Sequence, residues 1–570
     1  MAKVILIQPP IREFYLTRKR TIPYGLASIA ASLEQAGFDT EIIDALARDK
    51  SKVIDYPESF AHLKPYYGRQ DVTLFSLFHQ FRHFGYSHEY LAAMVRDRQP
   101  LIVGISSLFT AYQDQALETA KTVRRFYPDA YIVLGGHHPT VFPEKILDCT
   151  AVDFVVRGEG EASLPKLCRI IDDHVRKRPH HTGQLPEPGK LKAVPGIGFR
   201  ENAGLFISAP AWVENLSRIP GPALEKTDHS YYCRNKAAAI TVVASRGCPF
   251  PCSYCSVSAS SSHSGFRQRR VEEILAEIRG QADEREIGFI DFEDENLTLK
   301  KDWFLELLGG IRQIFKGRQV ELRAMNGLYP PSLDREIIRE MRASGFKTLN
   351  LSLGSFSKKQ LKRFKRPDVT DDHDRVVTLA EEFGLETVSY IIGAGPGQTA
   401  RTTLEDLLML ARRRTLAGLS IFYPAPGSLD YEVCRKAEIL PDDFSLMRSA
   451  ALPLDHTTSR LEAVTLLRLS RILNYLKSLI DRYGCLPDPE IHTPETAGDL
   501  KTPGKGIDRH RISRKLVQWF LADGGIRGMD GKGEIYVHQA DSQLTGAFLR
   551  GIQKRPVQGV RQGAAQAGTF

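Results

Sequence analysis

The sequence predicts a two-part α/β chain. A doubly wound, Rossmann-like N-terminal domain is followed by a partial (β/α)6 barrel of the TIM type and a helical C-terminal region. Three observations predict it. Residues 1–180 alternate short apolar strands with helical stretches, the pattern of a parallel sheet covered on both faces. From Ala237 the rhythm changes to six strand–helix units, too few for a closed eightfold barrel. Between the two, residues 181–236 are rich in proline and glycine (Pro195-Gly196, Pro220-Gly221-Pro222) and read as a linker with a small hairpin.

In the N-terminal part, strands are expected over 4–8, 40–44, 101–106, 131–134 and 152–156. A helix is expected over 24–35, closed by Ala36-Gly37 as its C-terminal cap. The insert between Tyr56 and Tyr90 is dense in aromatics, and Leu74, Phe78 and Phe81 fall at helical spacing, which predicts packing or a wall of the substrate pocket. The barrel strands are expected over 240–244, 287–292, 320–324, 348–353, 386–392 and 418–422, within a barrel domain of 237–430. Residues 461–482 form an amphipathic pattern, with Leu466, Leu469, Ile472, Leu473, Leu476 and Ile480 on one face, suited to cap the barrel. This helix opens a mostly helical region over 431–540, with a loop at 486–510 and a helix at 511–522. The tail, 541–570, reads as disordered.

A chain of 570 residues exceeds one hydrophobic core, which agrees with the division into domains. No apolar run reaches the roughly 18 residues that cross a bilayer, and the start reads as a buried strand, not a signal peptide. Of eight cysteines only three cluster, which argues against a disulfide framework and for a reducing, cytoplasmic setting. The formal charge of +9 fits acidic electron carriers, anionic substrates or nucleic acid, but no nucleic-acid module accompanies it.

The clustered cysteines are Cys248, Cys252 and Cys255, in Ser-Arg-Gly-Cys-Pro-Phe-Pro-Cys-Ser-Tyr-Cys. A cubic iron–sulfur cluster takes four ligands, so three thiolates leave one iron open for chemistry. Structural zinc is the alternative, but it takes four ligands, usually from paired knuckles. The chain has no second CxxC pair, and Cys233 lies fifteen residues upstream.

The CxxxCxxC spacing, with an aromatic residue before the last cysteine, resembles the radical S-adenosylmethionine (SAM) superfamily. The resemblance implies that the three cysteines hold a 4Fe-4S cluster and that SAM binds the open iron. It implies that Tyr254 lies near the adenine and that Glu293, Asp294 and Glu295 hold the amino end of SAM. Ser352 and Gly354 would touch its ribose or carboxylate. Gly393 and Gly395 would let the adenine approach. Pro424-Ala425-Pro426-Gly427-Ser428 resembles a further loop of the group.

The N-terminal strand ends read Gly104-Ile105-Ser106-Ser107-Leu108-Phe109-Thr110, Leu134-Gly135-Gly136-His137-His138 and Arg157-Gly158-Glu159-Gly160-Glu161. They resemble the cobalamin-binding domain that precedes the barrel in cobalamin-dependent radical SAM enzymes. By that resemblance Ser106, Ser107, Thr110, Gly135, Gly136 and Gly158 would line the corrinoid, with His137 and His138 as loop structure or corrin contacts. The Asp-x-His-x-x-Gly motif of many cobalamin proteins is absent: the loop after the first strand has no histidine up to Gly25. The implied activity is methyl transfer to an unactivated carbon of a small-molecule or biosynthetic substrate. It would use a 5′-deoxyadenosyl radical and methylcobalamin, with a flavodoxin or ferredoxin as reductant. Oxidative cyclisation, ring rearrangement and a non-catalytic iron–sulfur sensor are the alternatives. A methylthio-transferase is disfavoured, because residues 1–148 contain no cysteine for a second trio.

Overall fold

A computed structural model describes residues 2–17, 21–177, 184–201, 204–228, 230–234, 236–258, 265–493 and 508–561. The first strands in chain order are β1 (Lys3–Gln8), β2 (Ile11–Glu13), β3 (Asp39–Asp44), β4 (Ser51–Val53), β5 (Arg82–Phe84), β6 (Ile102–Ser106), β7 (Tyr131–Gly135), β8 (Phe154–Val156), β9 (Ile197–Glu201) and β10 (Gly204–Ile207). Seven of them form one sheet in the order β10-β9-β8-β7-β6-β1-β3. The five strands from β8 to β3 run parallel, and the β9–β10 hairpin adds to the β8 edge antiparallel. The hairpin expected in the linker is thus part of the N-terminal sheet.

Alternation sorts the sheet's side chains onto two covered faces. Val4, Leu6, Val133 and Phe154 share one core with α1 (Tyr24–Gln35). Ile5, Ile7, Ile105 and Leu134 share the other with the helices His88–Arg98 and Gln113–Phe126. The chain leaves β1 toward β3 on one side and β6 on the other, so the crevice for a ligand lies where the loops after β1 and β6 part.

Residues 74–81 do not form the helix that their spacing suggests. Asp71 Oδ1 accepts from the Thr73 N–H at 2.9 Å, and the Val72 N–H donates to Met529 O at 2.9 Å. The segment is set by this local turn and by the distant contact to Met529. Its rings join an aromatic cluster around Phe14, whose centroid lies 4.9 Å from Phe78, 5.2 Å from Phe81 and 5.5 Å from Tyr67.

The barrel is opened by β11 (Cys233–Arg234), β12 (Ala237–Val242) and the short β13 (Ser245–Arg246), which pairs with β14 (Arg267–Gln268). Then come β15 (Ile287–Phe292), β16 (Glu321–Ala324), β17 (Thr348–Gly354), β18 (Glu386–Gly393) and β19 (Leu416–Ile421). β12-β15-β16 and β17-β18-β19 are parallel ladders, joined through isolated bridges at Leu322–Phe346 and Leu328–Leu351. Six parallel strands therefore form an open barrel. Its last edge is closed by α2 (Arg460–Tyr483), where Asn474 both accepts from the Ala417 N–H and donates to its C=O, at 2.8 and 2.9 Å.

The C-terminal region packs on α2. The helix Arg509–Asp523, the hairpin Arg527–Met529/Ile535–Val537 and the helix Ser542–Lys554 bury Trp519, Phe520, Phe548 and Ile552 against Leu466, Leu469 and Leu473. The expectation of disorder over 541–570 is thus corrected for 542–554, whose apolar face is core. Its remainder from 562 on, and residues 494–507 of the expected loop, lie outside the described residues. Among the described residues no helix is long and apolar enough to cross a membrane.

Candidate active site at the mouth of the barrel

The cysteine loop begins at the C-terminal end of β12, after Gly247 turns the chain with φ 87°. Cys252 is buried, while Cys248 and Cys255 are half-buried. The Asn296 amide donates to Cys248 Sγ at 2.8 Å, and the Arg366 guanidinium donates to Cys252 Sγ at 3.7 Å. Ser258 Oγ ties the loop's own backbone, donating to the carbonyls of Cys252 and Cys255 at 3.0 and 2.7 Å. Burial pushes the Cys248 thiol up to about 11, and Cys252, Cys255 and Glu295 add to the rise. Cys255 is raised for the same leading reason. Three sulfurs on one loop, two of them met by side-chain hydrogen-bond donors, fit binding as thiolates to a cationic cluster.

The carboxylates after β15 divide their roles. Asp294 is 1% exposed, accepts from Ser245 Oγ at 2.5 Å and from the Ala244 N–H at 3.2 Å, and so braces the start of the cysteine loop. Burial holds its carboxyl up at about 6. Glu295 is raised further, to about 7, by burial and the neighbouring Asp294, and it lies within electrostatic reach of Cys248 and Cys255. Glu293 is half-buried beside them. Of the three, Glu295 is the one whose charge bears on Cys248 and Cys255.

Arg366 was not singled out as a site residue by the sequence, where it ends the basic stretch 358–366. It donates to Ser352 Oγ at 2.8 Å, to Ser352 O at 2.5 Å and to the Tyr254 hydroxyl at 3.1 Å. Gly354 makes room for it, since a Cβ there would lie 2.9 Å from Arg366 Cδ. One guanidinium thus joins Tyr254, Ser352, Gly354 and Cys252. The Tyr254 ring packs edge-on against Phe364, 5.0 Å away. Gly393 and Gly395 are filled from another side. A Cβ on Gly393 would meet Thr403 at 2.7 Å, and one on Gly395 would meet Phe364 at 2.8 Å.

Facing the barrel are the loops of the N-terminal sheet. The Ser107 N–H donates to Gly135 O at 2.8 Å, and Ser107 O accepts from the His138 N–H at 3.2 Å. Thr110 Oγ1 and His138 Nδ1 lie 3.2 Å apart. Gly136 has φ 117°, and a Cβ there would sit 2.7 Å from Ser107 O. At Gly158, with φ 83°, a Cβ would lie 2.1 Å from Ala211 O. Gly135 is roomier, with Val156 O at 3.7 Å, and Ser106 is its partner in the ladder. His137 lies against the Pro426 backbone of the barrel, and His138 packs on Phe142 and Phe444, with burial pushing it down to about 4.

Two arginines join the faces. Arg246, two residues before Cys248, donates to Glu161 at 2.6 Å and approaches Glu159 at 3.4 Å. Arg267 reaches both oxygens of Glu159 at 2.9 Å. Between the faces, large side chains remain open: Tyr15 at 59%, Leu108 at 55%, Phe109 at 56% and Tyr423 at 37% exposure. Tyr423, just beyond β19, lies within electrostatic reach of Cys255 on one side and Tyr15 on the other. It too was missed by sequence reasoning, because no short motif contains it.

The comparisons with known proteins agree with this arrangement. The family model of the radical SAM superfamily matches residues 242–410, and that of the B12 binding domain matches residues 77–168. An uncharacterised methyltransferase of Pyrococcus horikoshii is 26% identical over 440 residues, covering 75% of this chain and 82% of the relative. Cytidylyl-2-hydroxyethylphosphonate methyltransferase of Streptomyces wedmorensis is 26% identical over 414 residues, covering 69% and 73%. In fold, the cobalamin-dependent SAM radical enzyme OxsB, solved with aqua-cobalamin and SAM, superimposes with a TM-score of 0.59 at 15% identity, covering 91% of this chain and 72% of that one. The chain therefore carries a B12-binding domain followed by a radical SAM domain, the build of the cobalamin-dependent radical SAM enzymes.

Proposed function

We propose that the chain is a cobalamin-dependent radical SAM methyltransferase that acts on an unactivated carbon of a small biosynthetic substrate. The observation that carries this reading is the fastening of the cysteine loop. Arg246 and Arg267 lock it to Glu159 and Glu161, beside the Gly158 turn of the opposite domain. A site for the cluster and a site for a corrinoid are thereby held face to face.

Cys248, Cys252 and Cys255 would hold the cluster, with Asn296 and Arg366 as donors to sulfur. Glu295 and Glu293 would receive the ammonium group of SAM, which wants a carboxylate. Asp294 would act from behind, by holding Ser245. Tyr254, Ser352 and Gly354 would border the nucleoside through Arg366, and Gly393 and Gly395 would shape the far wall. Ser106, Ser107, Thr110, Gly135, Gly136 and Gly158 would line the corrinoid. When bound, the cluster with SAM supplies a 5′-deoxyadenosyl radical and the corrinoid supplies the methyl group. The chain's own part is to orient the substrate between Tyr15 and Tyr423 and to keep water out. The reductant we assign is a flavodoxin or ferredoxin of the cytoplasm, for which the basic surface is suited. Both relatives described above are named methyltransferases, and others at similar identity are named anaerobic magnesium-protoporphyrin IX monomethyl ester cyclases, so product mass separates the two chemistries.

The test is anaerobic reconstitution with iron, sulfide and hydroxocobalamin, followed by desalting and quantification of cluster and corrinoid. Near one cobalamin per chain is expected, together with 5′-deoxyadenosine on reduction with SAM. Cluster without cobalamin would overturn methyl transfer. Substrate product lighter by two hydrogens, with no added methyl group, would point to the cyclase chemistry instead.

A further inference from the structure

The basic stretch 358–366 divides between two sides of the chain. Its arginines turn inward. The Arg363 guanidinium donates to Pro396 O and pairs with Asp430 at 3.6 Å, and that of Arg366 reaches Cys252 Sγ at 3.7 Å. Its lysines stay outside. Lys359, Lys362 and Lys365 are exposed and form no ion pair among the described residues, and Lys358 meets Asp368 only at 3.9 Å. Lys362 lies one helical turn from both Lys358 and Lys359, a spacing at which like charges repel.

This surface is joined to the cysteine loop by direct hydrogen bonds. The helix Lys358–Arg363 ends in a left-handed turn at Lys365, φ 50°, closed by the Arg366 N–H, which donates to Leu361 O at 3.0 Å. Lys365 thus stands between two residues that touch the loop. Phe364 O accepts from the Ser253 N–H at 2.9 Å, and Arg366 reaches Cys252. A second helix, Leu429–Lys436, meets the same serine. The Asp430 N–H donates to Ser253 O at 2.8 Å, and the Asp430 carboxylate accepts from Ser253 Oγ at 2.9 Å. On this helix Leu429 and Val433, one turn apart, are 48% and 46% exposed, and Lys436 beyond them is exposed too. Two helices therefore meet over Ser253 and carry unneutralised lysines together with two open aliphatic side chains.

We propose that the helices Lys358–Arg363 and Leu429–Lys436 form the docking surface for an acidic, flavin-bearing electron carrier, with Lys359, Lys362 and Lys365 meeting its carboxylates and Leu429 and Val433 its exposed ring edge. The proposal deepens the functional reading above and rests on it for the cluster. An isoalloxazine held with its apolar benzenoid edge at an acidic surface complements both features, the cations and the aliphatic pair. Transient electron-transfer contacts bury less than about 1,200 Å² in total, an area that two short helices can supply. One electron passes from the carrier's anionic, two-electron-reduced flavin, which is oxidised by one electron, to the cluster, which is reduced by one. No bond forms or breaks and no proton need move. Charges at such a rim act mainly on the rate of encounter and are screened by salt.

The test is anaerobic stopped-flow mixing of the reconstituted full-length protein and SAM with a bacterial flavodoxin in its hydroquinone form, read from the flavin absorbance. Reduced methyl viologen, a small cation that needs no docking surface, is the parallel reductant. The wild-type rate with flavodoxin should fall at least about tenfold between about 20 and 300 mM salt. The triple variant Lys359→Glu, Lys362→Glu, Lys365→Glu should be slower at least about tenfold at low salt, with no slowing by methyl viologen. Leu429→Ser with Val433→Ser should slow the flavodoxin at both salt concentrations. Lys316→Glu, Arg318→Glu and Arg342→Glu together make the same change of charge before the strands Glu321–Ala324 and Thr348–Gly354, at the opposite end of the barrel, and should cost less than about threefold. Cluster content reports that each variant is intact. A flavodoxin rate insensitive to salt, unaffected by the lysine triple, or equally lowered by both triples would overturn the surface. A ferredoxin that outpaces the flavodoxin and shows the same dependence on the lysines would overturn the choice of a flavin. Failure of methyl viologen to reduce the wild type would instead sink the cluster reading on which the surface rests.

Discussion

Replacing Arg246 by methionine tests the fastening between the two faces. The side chain keeps its volume but loses its charge, and Glu161 is left 5% exposed on its side chain with Ser28 Oγ at 2.9 Å as a neutral partner. Burial alone pushes the Glu161 carboxyl up, yet Arg246 and its hydrogen bonds hold it below the ordinary carboxylate range. Breaking a buried pair from one side costs about 3–5 kcal/mol, or roughly 10²–10⁴ in a local opening equilibrium. In the wild type the ionised Glu161 contributes stability above the ordinary carboxylate range and loses it as pH falls through its lowered pKa. In Arg246→Met burial would dominate and raise that pKa. The destabilisation should then be full at pH 8 and shrink on acidification, as Glu161 takes up a proton. A chain of several domains has no single unfolding free energy, so the assay is hydrogen exchange of peptides spanning 157–161 and 245–255. Adding Glu161→Gln should restore much of the protection. A change below about fivefold at pH 8, or an equal change at pH 8 and pH 5.5, would refute the reasoning.

Three further outcomes follow from the same geometry. Single alanine variants of Cys248, Cys252 and Cys255 should bind no 4Fe-4S cluster and form no 5′-deoxyadenosine, whereas Cys233→Ser and Cys485→Ser, both at exposed positions, should keep wild-type iron content and activity. Gly158→Ala must accommodate a Cβ 2.1 Å from Ala211 O at φ 83°, so it should cost at least about 2 kcal/mol and lower cobalamin retention after desalting; Gly160→Ala meets the flexible tip of Ile29 at 2.8 Å and Val156 at ordinary contact distance, and should be milder by the same measurement. Removing a donor to sulfur, by Asn296→Leu or Arg366→Met, should lower the cluster's reduction potential, since hydrogen bonds and positive charge favour the reduced state; an unchanged or higher midpoint in a spectroscopic redox titration would refute the assignment.

Local signals made much of the fold legible. The helix Tyr24–Gln35 carries its alanines and leucine inward and stops where Gly37 adopts φ 89°, and the strand Ile287–Phe292 is a short apolar run between polar flanks. What escaped was set by distant parts of the chain. Residues 74–81 lost their helical option to contacts with Met529 and Ser513, more than four hundred residues away. The helix Ser542–Lys554 was masked by Gly546 and Gly551, which lower helix propensity. Gly551 has a packing reason, because a Cβ there would meet Leu408 at 2.5 Å. At the site the cysteine spacing was readable because three ligands share one loop. Arg366 and Tyr423 were not, because their roles arise only when the ends of separate strands converge.

The glycines show how far a short motif can be read. Small residues at strand ends suggested room for ligands, and the structure divides them. Gly393 and Gly395 give their space to Thr403 and Phe364, so their first role is to seat the loop after β18 on its own barrel. Gly354 gives its space to Arg366, which in turn holds Ser352, Tyr254 and Cys252. Gly158 gives its space to Ala211, and the tight turn it permits presents Glu159 and Glu161 to Arg246 and Arg267. Each glycine acts on the site through a neighbour that it admits. A glycine-to-alanine change at 354 should therefore be felt at the sulfur of Cys252, and one at 158 at the fastening of the whole cysteine loop, before either is felt by a ligand.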